Sequence, residues 1–167
     1  YPVSSAQKRM YLSSNDENDL SVYNITGGIL LDSMINIDKI QNALDIIVDR
    51  HDILRTYFNM VDGNIVQKIE KNIKIKLNVE EAEINDVDEL FYTHQSKFDL
   101  RKAPLFKIFL LKLPNGKILL MIDTHHIIFD GTSLNNLLQE IYMLYNGKGV
   151  PEITICYKDF AVWEEEQ

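Results

Sequence analysis

The residues best placed to do chemistry lie in one short segment, Thr124-His125-His126-Ile127-Ile128-Phe129-Asp130-Gly131. Two adjacent histidines close an apolar run, and a carboxylate and a glycine precede a helical pattern. Imidazole is the only side chain whose ordinary pKa lies near physiological pH, so it can accept or return a proton there. Alternation along a strand sends His125 to one face and His126 to the other, so one can meet a cleft while its neighbour packs inward. The same divergence argues against a shared metal ion, because only one histidine and Asp130 could ligate together. From the turn into the helix, Asp130 can hold the loop's shape or orient a ring. Gly131 lets backbone approach the site closely, and the helix N-terminus adds amide donors and a positive dipole. The competing arrangement is a buried structural pair, at a desolvation cost that a core usually avoids.

Other reaction types find less support. No serine or cysteine motif of the nucleophile-elbow kind is present. The single cysteine, Cys156, rules out an internal disulfide and a thiolate metal cluster. With no histidine near it in sequence, Cys156 is expected to be structural rather than a nucleophile. A histidine acting directly on an incoming nucleophile therefore fits better than a covalent intermediate on the protein. The formal net charge of -8 excludes a nucleic-acid footprint. No apolar stretch approaches the length of a membrane span, and Tyr1-Pro2-Val3-Ser4 carries no secretory signal, so a cytoplasmic protein is the default. The absent initiating methionine suggests an excised piece. At 167 residues and 46% hydrophobic, the chain suits one domain or one lobe of something larger.

Periodicity supplies the elements that must position the histidines. Helices are expected over Asn36 to Asp49, Asn85 to Lys97 and Thr132 to Asn146, with a shorter one around Ser5 to Leu12. Thr132 or Ser133 is the expected N-cap of the third, and Gly147 its stop. Strands are expected over Tyr23 to Leu31, entered or bulged at Gly27-Gly28, and in two hairpins. The first hairpin pairs Arg55–Met60 with Ile65–Glu70; the second pairs Leu105–Leu113 with Lys117–Thr124. The run Ile118 to Ile122 lacks polar alternation, which predicts a strand covered on both faces. His94 falls on an apolar helix stripe and reads as a satisfied histidine at the core or its edge. Glu164-Glu165-Glu166 reads as a solvated helix face. The pattern as a whole points to a layered α/β (α+β) lobe with helices packed on a central sheet.

His125-His126-x-x-x-Asp130-Gly131 resembles the HHxxxDG signature of condensation domains of non-ribosomal peptide synthetases. Three further segments resemble family motifs in the right order. Ser4-Ser5-Ala6-Gln7-Lys8-Arg9-Met10-Tyr11 is similar to the opening motif SxAQxRxW/Y. Arg50-His51-Asp52-Ile53-Leu54-Arg55-Thr56-Tyr57-Phe58 is similar to RHExLRTxF, with Asp52 where glutamate is usual. Tyr157-Lys158-Asp159-Phe160-Ala161-Val162-Trp163 is similar to YxDFAVW. Phe98-Asp99-Leu100 with Pro104-Leu105-Phe106 also resembles the family's stretch before the active strand.

The resemblance implies a chloramphenicol acetyltransferase-like fold with a mixed, largely antiparallel central sheet, of which residues 1–167 form the N-terminal lobe. It implies a tunnel between two lobes, entered by 4'-phosphopantetheine thioesters on peptidyl or aminoacyl carrier proteins, and no bound cofactor or metal. His126 would contact the acceptor amine, as general base or as a positioning group. Asp130 would be structural and paired with an arginine, Arg55 being the candidate. Gly131 would offer its backbone N–H near the reacting groups, and His125 would lie behind His126. Gln7 and Arg9 would brace the active-site loop or tunnel wall, the alternative being that they only cap local backbone. Leu54, Tyr57, Phe58, Phe160, Val162 and Trp163 are expected to pack. Because the family's domains are more than twice this length, the C-terminal lobe is the missing partner and the lobe alone should be inactive. The alternatives are an epimerisation domain, a coenzyme A-dependent acyltransferase of the same superfamily, and a non-catalytic lobe that docks carrier proteins.

Overall fold

A computed structural model describes residues 1–14 and 22–167. Helix α1 (Ser5–Ser13) leads into strand β1 (Asn24–Leu31) and helix α2 (Ile37–Arg50). A single 3-10 turn, Asp52–Arg55, opens the hairpin of β2 (Thr56–Val61) and β3 (Asn64–Ile69). Strand β4 (Asn78–Glu81), helix α3 (Val87–Thr93), strands β5 (Phe106–Lys112) and β6 (Ile118–His125), and helices α4 (Gly131–Tyr145) and α5 (Tyr157–Glu165) complete the order. The main sheet runs β1-β6-β5-β4, antiparallel except for the parallel pair β4–β5. The expected mixed, largely antiparallel sheet is present, while β2 and β3 form a separate two-stranded sheet.

Strand β6 lies at the centre because nothing in Ile118 to Ile122 wants water. All eight of its residues are buried. Ile118, Leu120 and Ile122 join the larger core with Ile40, Leu44 and Ile47 of α2 and Leu137 and Ile141 of α4. The alternate residues Leu119 and Met121 meet Leu90 of α3 and Phe109 of β5. Each such side chain contributes roughly 1.5–3 kcal/mol relative to exposure. Helix α3 therefore adds a small cover on the face opposite α2 and α4.

Both expected hairpins form. Asp62 and Gly63 both have positive φ (50° and 79°), the geometry of a two-residue turn that matches strand twist. Leu113 and Lys117 close the other loop, with Gly116 at φ 84°. Helix α2 is capped by Asn36, which accepts from the Lys39 N–H at 3.2 Å, and Gly147 follows the end of α4 at φ 70°.

Several expectations are corrected. The N-cap of α4 is Asp130, not Thr132 or Ser133. Helix α3 is shorter than Asn85–Lys97: Asp86 caps it, accepting from the Glu89 N–H at 3.1 Å, and the Ser96 N–H donates to buried Asp123 at 2.6 Å, drawing the chain away. Strand β4 escaped notice because all four residues are exposed and show no apolar alternation. Phe160 and Trp163 do not pack: they are 42% and 57% exposed, stacked at 6.0 Å on the outer face of α5. Leu54 and Phe58 are buried as expected.

Strand β1 has no bulge at its glycines. Gly27 pairs with Ile122 and Gly28 with Met121 in unbroken register. What the pair provides is closeness: a Cβ on Gly27 would meet Leu134 Cδ2 at 2.6 Å, and one on Gly28 would meet the Leu120 carbonyl oxygen at 2.2 Å. The first neighbour can rotate aside, whereas the second is backbone. Gly28→Ala is expected to lower the urea midpoint through a loss of about 1–3 kcal/mol, the usual cost of overpacking. Gly149→Ala, which meets nothing within 4 Å, should leave the midpoint unchanged.

Candidate active site

Strand β6 delivers the histidines to the sheet's end, and the next three residues decide what each can do. Ile127, Ile128 and Phe129 are all buried. Their burial seats a tight turn in which the Ile128 and Phe129 N–H groups donate to the His125 and His126 carbonyls at 3.2 and 3.3 Å. The polar residues on either side diverge as a result: His125 is buried, while His126 and Asp130 are exposed. The His126 N–H donates to the Tyr23 carbonyl at 2.7 Å, which fixes this corner against the start of β1.

The two imidazoles hold opposite tautomers when neutral. His126 Nδ1 lies 2.6 Å from the Phe129 carbonyl, which can only accept, so Nδ1 carries the proton. Its Nε2 has no hydrogen-bond partner among the described residues. His125 Nδ1 accepts from the Ile127 N–H at 3.0 Å, so the proton sits on Nε2, 3.4 Å from Ser14 Oγ. Burial, with a smaller push from neighbouring His126, lowers the His125 pKa from 6.5 to about 4. His125 is thus a neutral, fixed support, and His126 is the ring that can accept a hydrogen bond or a proton. The inner edge of His125 borders an open pocket of about 550 Å³ that is also lined by Tyr11, Ser14, Lys97 and Arg101.

Asp130 and Gly131 begin α4. The Asp130 carboxylate accepts from both the N–H and the hydroxyl of Ser133, each at 2.7 Å. Those bonds hold its pKa below the ordinary carboxylate value. A Cβ at Gly131 would meet nothing within 4 Å among the described residues, so packing inside this lobe does not demand glycine.

Asp130 does not pair with Arg55, and here the sequence expectation is corrected. Arg55 bonds the Asp52 carboxylate at 2.6 Å and the Val48 and Glu70 carbonyls at 3.0 and 2.9 Å. A guanidinium committed to the end of α2 and to β3 cannot reach the α4 cap. Asp52 also binds Lys158, joining the second and fourth motifs. Of the other two supporting residues, Gln7 takes the expected alternative of capping local backbone. Gln7 is buried and completes a capping box with Ser4, its Oε1 accepting from the Ser4 N–H at 3.0 Å. Arg9 is exposed and pairs with no carboxylate among the described residues. Gln7 braces α1, and neither residue reaches the histidine turn.

Two polar features were not anticipated. Asp123 is fully buried two residues before His125 and accepts from Asn24, Thr26 and Ser96; its only signal was a lone carboxylate in an apolar strand. His51 bonds Glu140 at 2.7 Å, tying the end of α2 to α4. His94 is satisfied as expected, by the Leu90 carbonyl and Glu80, and packs edge-on against Phe109 at 5.3 Å.

A family model described as the Condensation domain matches residues 1–167. The chain is 44% identical over 165 residues to tyrocidine synthase 2 of Brevibacillus parabrevis, covering 99% of this chain and 5% of that protein. It is 38% identical over 167 residues to surfactin synthase subunit 2 of Bacillus subtilis (strain 168), covering 100% of this chain and 5% of that protein. Among solved structures, the condensation domain from monacolin K polyketide synthase superposes with a TM-score of 0.84 at 21% identity, over 99% of this chain and 38% of that one. The starter condensation domain of rhizomide synthetase gives 0.83 at 22% identity, over 99% of this chain and 43% of that one. At those identities the structural likeness speaks for the fold alone.

Two outcomes follow from this geometry. Between pH 6.5 and about 4 the unfolded chain binds a proton at residue 125 and the folded chain does not. Stability should therefore fall as pH drops through that window, by on the order of 1.4 kcal/mol per unit. His125→Asn, whose Oδ1 can still accept from Ile127, should flatten the slope in urea titrations across that range. Asp130→Ala should cost about 1 kcal/mol through loss of the cap, and Asp130→Ser should restore most of it.

Proposed function

The chain belongs to the condensation-domain family, and from that premise we propose that it is the N-terminal lobe of a domain that forms peptide bonds between carrier-bound substrates. It spans about 5% of the length of the curated relatives named above, so the activity of the whole protein is the proposal. The observation that carries it is the exposed His126 ring, its Nδ1 held by the Phe129 carbonyl and its Nε2 without a hydrogen-bond partner among the described residues.

The reaction is acyl transfer from a thioester to an amine. The acceptor nitrogen attacks the thioester carbonyl, the new C–N bond forms, and the C–S bond breaks. Nε2 of His126 accepts a hydrogen bond from the attacking amine and takes up the proton that the departing thiolate finally receives. The positive end of α4, opened by Asp130 and Gly131, favours the negative charge that develops on the carbonyl oxygen. His125 stays neutral behind this turn and sets its shape.

Donor and acceptor are 4'-phosphopantetheine thioesters on peptidyl and aminoacyl carrier proteins, and the protein works in the cytoplasm with no cofactor of its own. A C-terminal lobe supplies the opposite wall. Without that wall His126 stands in water, and neither substrate is held at attack distance. The lobe alone should therefore give negligible product.

The test is dipeptide formation on loaded carrier proteins by the full-length protein. His126→Ala should abolish product while circular dichroism shows an unchanged fold. Product formation near the wild-type rate would sink the assignment.

A further inference from the structure

The least comfortable group in the lobe is the Asp123 carboxylate. It is fully buried in a strand that is otherwise apolar up to that point. Oδ1 accepts from Asn24 Nδ2 at 3.2 Å and from Thr26 Oγ1 at 3.1 Å; Oδ2 accepts from the Ser96 N–H at 2.6 Å. Asn24 also donates to the Ser96 carbonyl at 2.6 Å, closing a ring of bonds among β1, β6 and the chain after α3. Burial pushes the carboxyl pKa up, against those same hydrogen bonds. A side chain that costs this much desolvation could be replaced by a leucine at little loss if it only filled space.

Its neighbours supply a reason for its presence. Tyr23, one residue before Asn24, provides the carbonyl that receives the His126 N–H at 2.7 Å, and its ring lies 6.2 Å from that of His125. Lys97, one residue after Ser96, opens the run that walls the pocket beside His125. The carboxylate thus ties together the segment whose carbonyl receives the His126 N–H and the segment that lines the pocket beside His125.

We propose that Asp123 is a positioning residue for His126: its bonds to Asn24, Thr26 and Ser96 hold the entry to β1, where the Tyr23 carbonyl receives the His126 N–H. The inference rests on the catalytic reading of His126 for its effect on rate, but the positioning itself can be measured separately. Asn at position 123 presents one amide donor where the carboxylate presented an acceptor, so at least one donor loses its partner. In Asp123→Asn, amide hydrogen exchange at His126 and Ser96 should speed by at least tenfold, with cooperative unfolding retained. In the full-length protein, kcat for dipeptide formation should fall about tenfold, with the acceptor KM changed less than twofold. Should Asp123→Asn fail to fold, Asn24→Ala cuts the β1 side of the ring alone and should show the same two changes in smaller degree. Unchanged exchange at His126 in a folded variant overturns the proposal, and so does faster exchange with unaltered kcat. Activity surviving in His126→Ala would instead overturn the catalytic reading and leave the exchange result standing.

Discussion

Strand β6 is buried along its whole length, and that constraint organises the lobe. Its first five side chains are apolar and gain from burial. The last three, Asp123, Thr124 and His125, are polar and must be satisfied from within the protein. Each brings a different part of the chain to the strand. Asp123 gathers Asn24, Thr26 and Ser96; the Thr124 hydroxyl donates to the Leu105 carbonyl at 3.2 Å; His125 accepts from Ile127. The elements around the end of β6 are thus located by the hydrogen-bonding demands of three buried groups. The hydrophobic core behind them supplies the driving force but not that degree of direction.

The site is the place where this dry strand ends. His125 is the last buried residue of β6, and His126 is the first to reach solvent. One position along the chain changes the environment of an imidazole from one that keeps it neutral to one where its lone pair is open. The hydrophobic plug Ile127-Ile128-Phe129 enforces the change, because its burial turns the chain sharply and leaves His126 and Asp130 outside. His126 and Asp130 are the exposed polar groups of this corner. Phe160 and Trp163 of α5 are exposed too, while the helix is attached through polar contacts, Ser4 with the Tyr157 hydroxyl and Asp52 with Lys158, around buried Ala161.

Some of this was legible in the residues and some was not, for identifiable reasons. Helix α2, both hairpins and the doubly covered β6 follow from local periodicity and turn chemistry, which one stretch of sequence contains in full. The split between His125 and His126 follows from strand alternation. Arg55 was misassigned because its partner depends on which carboxylate folding brings within reach, and Asp52 three residues away was nearer than Asp130. Phe160 and Trp163 were expected inside on hydrophobicity alone. The side of α5 that carries them turns outward, and Ala161 faces in.

By itself, then, the sequence determined the α/β class, the family motif and the divergence of its two histidines. Those depend on residue type, spacing and strand or helix period, all of them local. The tertiary structure alone decided the tautomers of the two imidazoles, the role of Asp130 as a helix cap, the partners of Arg55 and the clamp at Asp123. Each of these is a hydrogen bond whose donor and acceptor are chosen by the fold: Asn24 and Asp123 lie 99 residues apart and meet only when β1 lies against β6.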